Sequence, residues 1–313
     1  MCFGFDGERA LRDSLQRKGA SRRSLLAGAA AGAAVLGGAA PAVARGGGHG
    51  GHGSRRGIPH DRISIQMYSL RDATDATTLP TILHRLAQYG YEKVELAGYY
   101  GLTARELRKA LDREGLRASS SHDGISDSAA AARAKFENAR TLGQKYVVVP
   151  YLASAVLADW QRWADQMNAE AAVAKRYGLR YGYHNHAHEF TTDLGGGVTP
   201  WEVLTSRLDR KLVHLEVDLY WAYTGGVNSG AADPLRFARD VVRTAPQTVR
   251  QFHVKDRSAT DGDMADLGTG VIDFPAIFRT QAVEEYIVEN DTPDVSPLTT
   301  AAVGHAYLDH VRF

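Results

Sequence analysis

From residue 63 onward, short runs rich in β-branched and aromatic residues alternate with longer segments whose apolar positions recur at helical spacing. The runs at 63–68, 93–96, 117–121, 146–150, 180–185, 213–218, 250–254 and 286–289 predict eight strands. The segments 77–89, 103–114, 128–142, 158–177, 199–207, 233–244 and 273–279 predict helices between them, with a last one at 296–311. Thr103 stands three residues before Glu106, the spacing of a capping box. Gly90, Gly115, Gly143 and Gly178 each fall between a helix and the next strand, where a left-handed cap is wanted. Such alternation over about 250 residues predicts parallel strands with right-handed crossovers, and eight units close into a single (β/α)8 TIM barrel. A doubly wound open sheet is the rival, but no glycine-rich phosphate fingerprint follows the first strand.

The first 62 residues lie outside this pattern. Ser21-Arg22-Arg23-Ser24-Leu25-Leu26 precedes an Ala/Gly-rich apolar run and then Pro41-Ala42-Val43-Ala44. A basic stretch, an apolar run and a small-x-small site define a secretory signal, and the paired arginines make it resemble the twin-arginine type. The apolar run, at about 16 residues, is shorter and less apolar than the roughly 20 a spanning helix needs, which argues against stable membrane insertion. Residues 1–44 are thus expected to be a cleaved export signal, engaging an export machinery and sending the protein to the periplasm or outside. Residues 45–62, with His49, His52 and His60, are expected to be a flexible Gly/His-rich linker.

Composition narrows the function little further. Of 313 residues 44% are hydrophobic, and the formal net charge is +1. Loss of residues 1–44 would bring that charge to about −2, which gives no electrostatic footprint for nucleic acid. The lone cysteine, Cys2, rules out an intramolecular disulfide and a thiolate metal cluster.

In a barrel of this kind chemistry sits at the C-terminal ends of the strands. Those ends carry Gln66, Glu95, His122, His184-Asn185-His186, Glu216 and Asp218, His253 and Lys255-Asp256, and Glu289-Asn290-Asp291. Taken singly, each has a bland explanation: a strand-end Asp often only caps the next helix. Together, strands 5 to 8 each present a His or a carboxylate at one level. Adjacent strands are about 4.8 Å apart, so such side chains can converge on one divalent cation.

The segments YHNH (183–186), EVDLYW (216–221), HVKD (253–256), LGTGVIDF (267–274) and VEND (288–291) also carry a resemblance. From residue 63 to 313 the chain resembles the sugar phosphate isomerase/epimerase superfamily, the xylose isomerase-like TIM barrels. That resemblance implies one divalent metal ion (Mn2+ first, with Co2+, Zn2+ or Mg2+ as alternatives) held by His184, Asp218, His253 and Glu289. His184 stands where the commoner pattern has Glu, and His186 is the alternative ligand. Trp221 stands where epimerases of the tagatose type carry a substrate-binding His.

The implied chemistry is proton removal next to a carbonyl, giving a metal-stabilised enediolate. Glu289 is the expected base, His186, Glu95 and His122 are further proton-transfer candidates, and Lys255 would neutralise an oxyanion. Gln66, His122, Asn185 and Trp221 are expected to contact the substrate, a small non-phosphorylated sugar or keto-sugar. The reading is an isomerase/epimerase. The alternatives are a keto-sugar dehydratase or β-eliminating lyase, to which the tyrosine-led YHNH points, and an exported sugar-binding protein without catalysis. An endonuclease-like DNA-repair role is a third option, made poor by the near-zero charge and by too few ligands for three metals.

Overall fold

The computed structural model describes residues 56–313; the expected signal and the first part of the linker, with His49 and His52, lie outside them. Eight parallel strands form the barrel: β1 (Ile63–Gln66), β2 (Lys93–Leu96), β3 (Arg117–Ser121), β4 (Tyr146–Val149), β5 (Arg180–His184), β6 (Val213–Asp218), β7 (Val249–Val254) and β8 (Glu285–Val288). They are hydrogen-bonded in the order β3-β2-β1-β8-β7-β6-β5-β4. The ring closes between β3 and β4 through a single parallel bridge, His122 with Val148, and two backbone bonds, from Asp123 and from Lys145, at 2.9 Å. This is the (β/α)8 barrel that the alternating pattern predicts.

The outer layer is α1 (Leu79–Gln88), α2 (Ala104–Arg113), α3 (Ala129–Leu142), α4 (Leu157–Arg176), α5 (Pro200–Arg207), α6 (Leu219–Asn228), α7 (Pro234–Thr244), α8 (Phe274–Phe278) and α9 (Pro297–His310). Thr103 and Glu106 form the expected capping box at α2, and Gly143 ends α3 with φ +77°. Apolar faces of these helices pack on β-strand residues that are themselves fully buried, such as Val147, Val149, Val217 and Phe252. Burial of that kind contributes about 25 cal/mol per Å2 and is the main force holding the ring shut.

Three features depart from the sequence expectations. Helix α6 follows β6 directly, where no helix is predicted before residue 233. Its segment, LYWAYTGGVN, is apolar nearly all round and carries two glycines, so it has neither a helical stripe nor good propensity. Asp218 starts it by accepting from the Trp221 N–H at 2.7 Å. Strand β1 ends at Gln66, and residues Met67–Ala73 turn into a 3-10 helix. Residues 56–62 do not behave as a tether: Arg56 pairs with Phe313 in both directions at 2.7 and 2.9 Å, Ile58 is buried, and His60–Arg62 form a 3-10 turn.

Candidate metal centre

Strand register brings the polar ends together. Along β5, β6 and β7, His184 lies opposite Glu216 and Asp218 lies opposite His253. Glu289 continues from β8, its N–H bonded to Val254 at 3.2 Å. In β6 side chains alternate, so His214, Glu216 and Asp218 all face the barrel interior at rising heights. His184, Asp218, His253 and Glu289 each offer one ligand atom, and these atoms lie within 4.8 Å of one another. All four are buried.

The two imidazoles face two ways. His184 turns Nε2 toward Asp218 Oδ2 (3.9 Å) and Nδ1 toward Glu216 Oε1 (3.2 Å). His253 turns Nδ1 toward Glu289 Oε2 (2.8 Å) and Nε2 toward Glu95 Oε1 (2.7 Å) and Glu216 Oε1 (3.0 Å). The outer nitrogens thus look to the barrel mouth with Asp218 and Glu289, while the inner ones look to Glu95 and Glu216. His122 belongs to the inner side, with Nε2 at 2.9 Å from Glu216 and 3.2 Å from Glu95, and its ring stacks on that of His253. His122, His184, Glu216 and His253 form a second group of potential ligands.

Charge is what makes the outer group fit a cation. Glu95, Glu216, Asp218 and Glu289 are buried carboxylates, and Lys255 is the one buried ammonium beside them. Its Nζ lies 2.6 Å from Glu289, 3.1 Å from Asp218 and 3.2 Å from Asp291. Burial, and then the charge on Glu216, push the Glu95 carboxyl up to about 8. Burial likewise lifts Asp218 to about 7, against the pull of Lys255. Glu289 goes the other way: Lys255 and His253 outweigh its burial and hold it well below the ordinary range. Asp218 spends Oδ1 on the α6 cap, while its buried Oδ2 makes no well-formed hydrogen bond and has the Lys255 ammonium at 3.1 Å as its charge partner. A divalent cation would meet that oxygen, two imidazole nitrogens and the Glu289 carboxylate, and would offset the excess negative charge.

The other expected residues divide between the mouth and its supports. Gln66 is fully buried and its amide is committed, donating to Glu95 at 2.8 Å and accepting from the Tyr68 N–H at 3.0 Å. Asn185 is likewise committed, accepting from the Asp218 N–H at 3.0 Å. Glu95 is fully buried on the inner side and takes a further hydrogen bond from Ser120, so it supports His253 rather than opening to the mouth. His186 lies just past the end of β5, in the loop rather than on the strand, and its ring is 5.1 Å from that of His184. Its buried Nδ1 has no partner, and burial drives its pKa down to about 2. The Trp221 ring lies 5.2 Å from that of His186, its indole N–H also without a partner, and Lys255 sits 5.4 Å over the Trp221 ring.

Two residues at the mouth carry roles the sequence reading does not assign. Tyr151, 55% exposed, packs edge-on against His186 at 5.1 Å. Asp256 is buried and accepts four backbone N–H bonds at 2.8–3.1 Å, from Arg257, Gly268, Gly270 and Ile272. It thereby folds the LGTGVIDF stretch beside the mouth. A Cβ on Gly270 would stand 2.2 Å from Asp256 Oδ1, and Gly268 has φ +83°, so both glycines are needed for that cradle.

Fold and mouth together define a TIM barrel whose C-terminal mouth carries a His/Asp/Glu cluster able to hold a metal ion. The sequence family described as xylose isomerase-like TIM barrel matches residues 83–287, and the chain belongs to it. An inosose dehydratase of Bacillus licheniformis is 26% identical over 283 residues, covering 74% of this chain and 88% of that protein. Among solved structures, a sugar phosphate isomerase/epimerase from Parabacteroides distasonis superposes with TM-score 0.64 at 24% identity, over 81% of this chain and 95% of that one. The IolI protein with a bound zinc atom gives TM-score 0.58 at 14% identity, over 79% and 96%.

Proposed function

We propose that the protein is a divalent-cation-dependent isomerase or epimerase that removes a proton beside the carbonyl of a non-phosphorylated sugar or keto-sugar. The observation that carries this reading is the convergence of His184, Asp218, His253 and Glu289 within 4.8 Å, with the Lys255 ammonium against both carboxylates. When bound there, a cation supplies Lewis acidity toward adjacent carbonyl and hydroxyl oxygens. Two imidazole ligands favour Mn2+, Co2+ or Zn2+ over Mg2+.

The chain's own groups do the rest. Glu289, held ionised, accepts the carbon-bound proton. Lys255 offsets negative charge developing on the substrate oxygen. His186, with its free Nδ1, holds a substrate hydroxyl, and Glu289, now carrying the proton it removed, returns it to the adjacent carbon. The unpartnered His186 Nδ1 and Trp221 N–H offer a polyhydroxylated ligand hydrogen-bonding sites already desolvated, which makes its binding cheaper.

A second reading, dehydration or β-elimination of a keto-sugar, begins with the same proton removal. It is favoured by the likeness to the inosose dehydratase and by Trp221 in place of a substrate-binding His. The paired Arg22-Arg23 supports export of the folded protein, where phosphorylated sugars are scarce. Exchanging both arginines for lysine should strand the precursor in the cytoplasm; normal export of that variant would overturn the twin-arginine reading.

The test of the reaction is incubation with a panel of keto-sugars in 2H2O, followed by NMR, for the wild type and Glu289→Gln. The account expects substrate turnover with deuterium entering beside the carbonyl, and loss of both in the variant. Loss of a hydroxyl from the product would assign the eliminating reading. Turnover at full rate in Glu289→Gln would overturn both.

A further inference from the structure

Glu216 is the one carboxylate that all three imidazoles of the cluster meet. Its Oε1 lies 2.9 Å from His122 Nε2, 3.2 Å from His184 Nδ1 and 3.0 Å from His253 Nε2, and the side chain is fully buried. We propose that Glu216 is a positioning residue that sets the tautomers of the two candidate ligand histidines, an inference that rests on the outer group holding the cation.

The argument is one of hydrogen-bond accounting. A neutral imidazole has one N–H and one lone pair on opposite sides of the ring. A buried carboxylate accepts and does not donate, so an imidazole nitrogen facing Glu216 must carry the proton, and the lone pair appears on the far side. For His184 this places N–H on Nδ1 and the lone pair on Nε2. His253 faces carboxylates on both sides, Nε2 toward Glu216 at 3.0 Å and Nδ1 toward Glu289 at 2.8 Å, so a cation that displaced the proton between Nδ1 and Glu289 would leave the N–H on Nε2. With a cation bound, the two ligands would therefore stand in opposite tautomers, the lone pair of His184 aimed at the Asp218 side and that of His253 at the Glu289 side. Carboxylate–histidine–metal arrangements of this kind orient the ring and raise its basicity.

The two histidines do not depend on Glu216 equally. His253 Nε2 has a second carboxyl partner in Glu95 at 2.7 Å. His184 Nδ1 has only Glu216 among the described residues. A glutamine at 216 could also turn its amide N–H toward His184 and impose the wrong tautomer. A second ion in the inner group would have to share His184 and His253 with the outer one. Both rings would then bridge two metals as imidazolates, a demand that a buried acceptor carboxylate avoids.

The experiment compares wild type, Glu216→Gln and Glu95→Gln/Glu216→Gln, each loaded with Zn2+. Affinity is read by chelator competition, stoichiometry by elemental analysis, and tautomers by long-range 1H–15N spectra of the histidines. The wild type should bind one Zn2+, with His184 protonated at Nδ1 and His253 at Nε2. Glu216→Gln should bind Zn2+ 10–100-fold more weakly, with the signature of His184 changed and that of His253 kept. The double variant should lose both signatures. Glu216→Asp, which keeps the charge, should recover part of the affinity, and thermal melts check that each variant is folded.

Unchanged affinity and tautomers in folded Glu216→Gln would overturn the proposal. So would two Zn2+ in the wild type with one lost on Glu216→Gln, which would make Glu216 a ligand. Failure of the underlying reading looks different: Asp218→Asn would then bind Zn2+ as tightly as the wild type.

Discussion

The two ends of the barrel are both lined with ionisable groups, and they balance their charge in opposite ways. At the N-terminal end Glu284 is met by Lys145, Arg180 and Arg250 and by the Tyr146 hydroxyl. Next to it Glu285 is met by Lys93 at 3.7 Å, by Ser119 at 2.6 Å and by Gln251. Both of these carboxylates are met by fixed cations. At the C-terminal end four buried carboxylates share one lysine and three imidazoles, with Asp218 Oδ2 and Glu216 Oε2 left without a hydrogen bond. Carboxylates fully covered by fixed cations are what a structural ion-pair network needs. An incompletely covered set in a dry pocket is what a cation and a substrate complete.

That contrast can be attacked from both sides. The largest effect belongs to Glu289→Gln, which keeps the shape and removes the charge. Solvent exchange beside the substrate carbonyl should fall by about 10²–10⁴-fold, or further if the cation leaves as well. The next separates the neighbouring histidines. His184→Asn should lower both metal content and turnover, whereas His186→Asn should lower turnover and leave the metal; elemental analysis of both variants reads the difference, and the reverse pattern would make His186 the ligand. The smallest effect belongs to the opposite end. Glu284→Gln should leave metal and turnover unchanged and cost about 1–3 kcal/mol of stability, the scale of hydrogen bonds to charged groups.

The pH dependence of that last cost has a definite sign. Although partial burial alone would raise the Glu284 pKa, the hydrogen bonds from Lys145, Tyr146 and Arg250 hold it far below the ordinary carboxylate value. Its stabilisation is therefore complete above the unfolded pKa, about 4.3, and is lost as pH falls through the folded value. Denaturant melts should show the full gap between wild type and Glu284→Gln at pH 7 and a shrinking gap below about pH 4. A gap that is constant over that range would show that Glu284 is not held by its cations.

Much of this was legible from sequence because the barrel's strands are short apolar runs cut off by glycines and caps. The polar residues at their ends stand out against such a background. Strand parity also places His184, Asp218 and His253 on the inner face. What stayed hidden depends on partners distant in sequence. Glu216 reads as one more polar strand residue until β3, β5 and β7 bring His122, His184 and His253 around it. Gln66 and Asn185 look like substrate contacts, and only their bonds to Glu95 and to the Asp218 backbone show them to be supports. Helix α6 was missed because its apolar, glycine-containing segment lacks a helical period and is held by packing and by the Asp218 cap. The glycines of LGTGVIDF were visible, but the Asp256 carboxylate they surround lies more than ten residues earlier.

Metal content after Asp218→Asn, set beside Glu284→Gln, tests the central claim most directly. Both proteins would be purified folded, loaded with Mn2+ or Zn2+, desalted and assayed by elemental analysis. The account predicts about one equivalent in the wild type and in Glu284→Gln, and a loss of most of it in Asp218→Asn. A full equivalent retained by folded Asp218→Asn would contradict it.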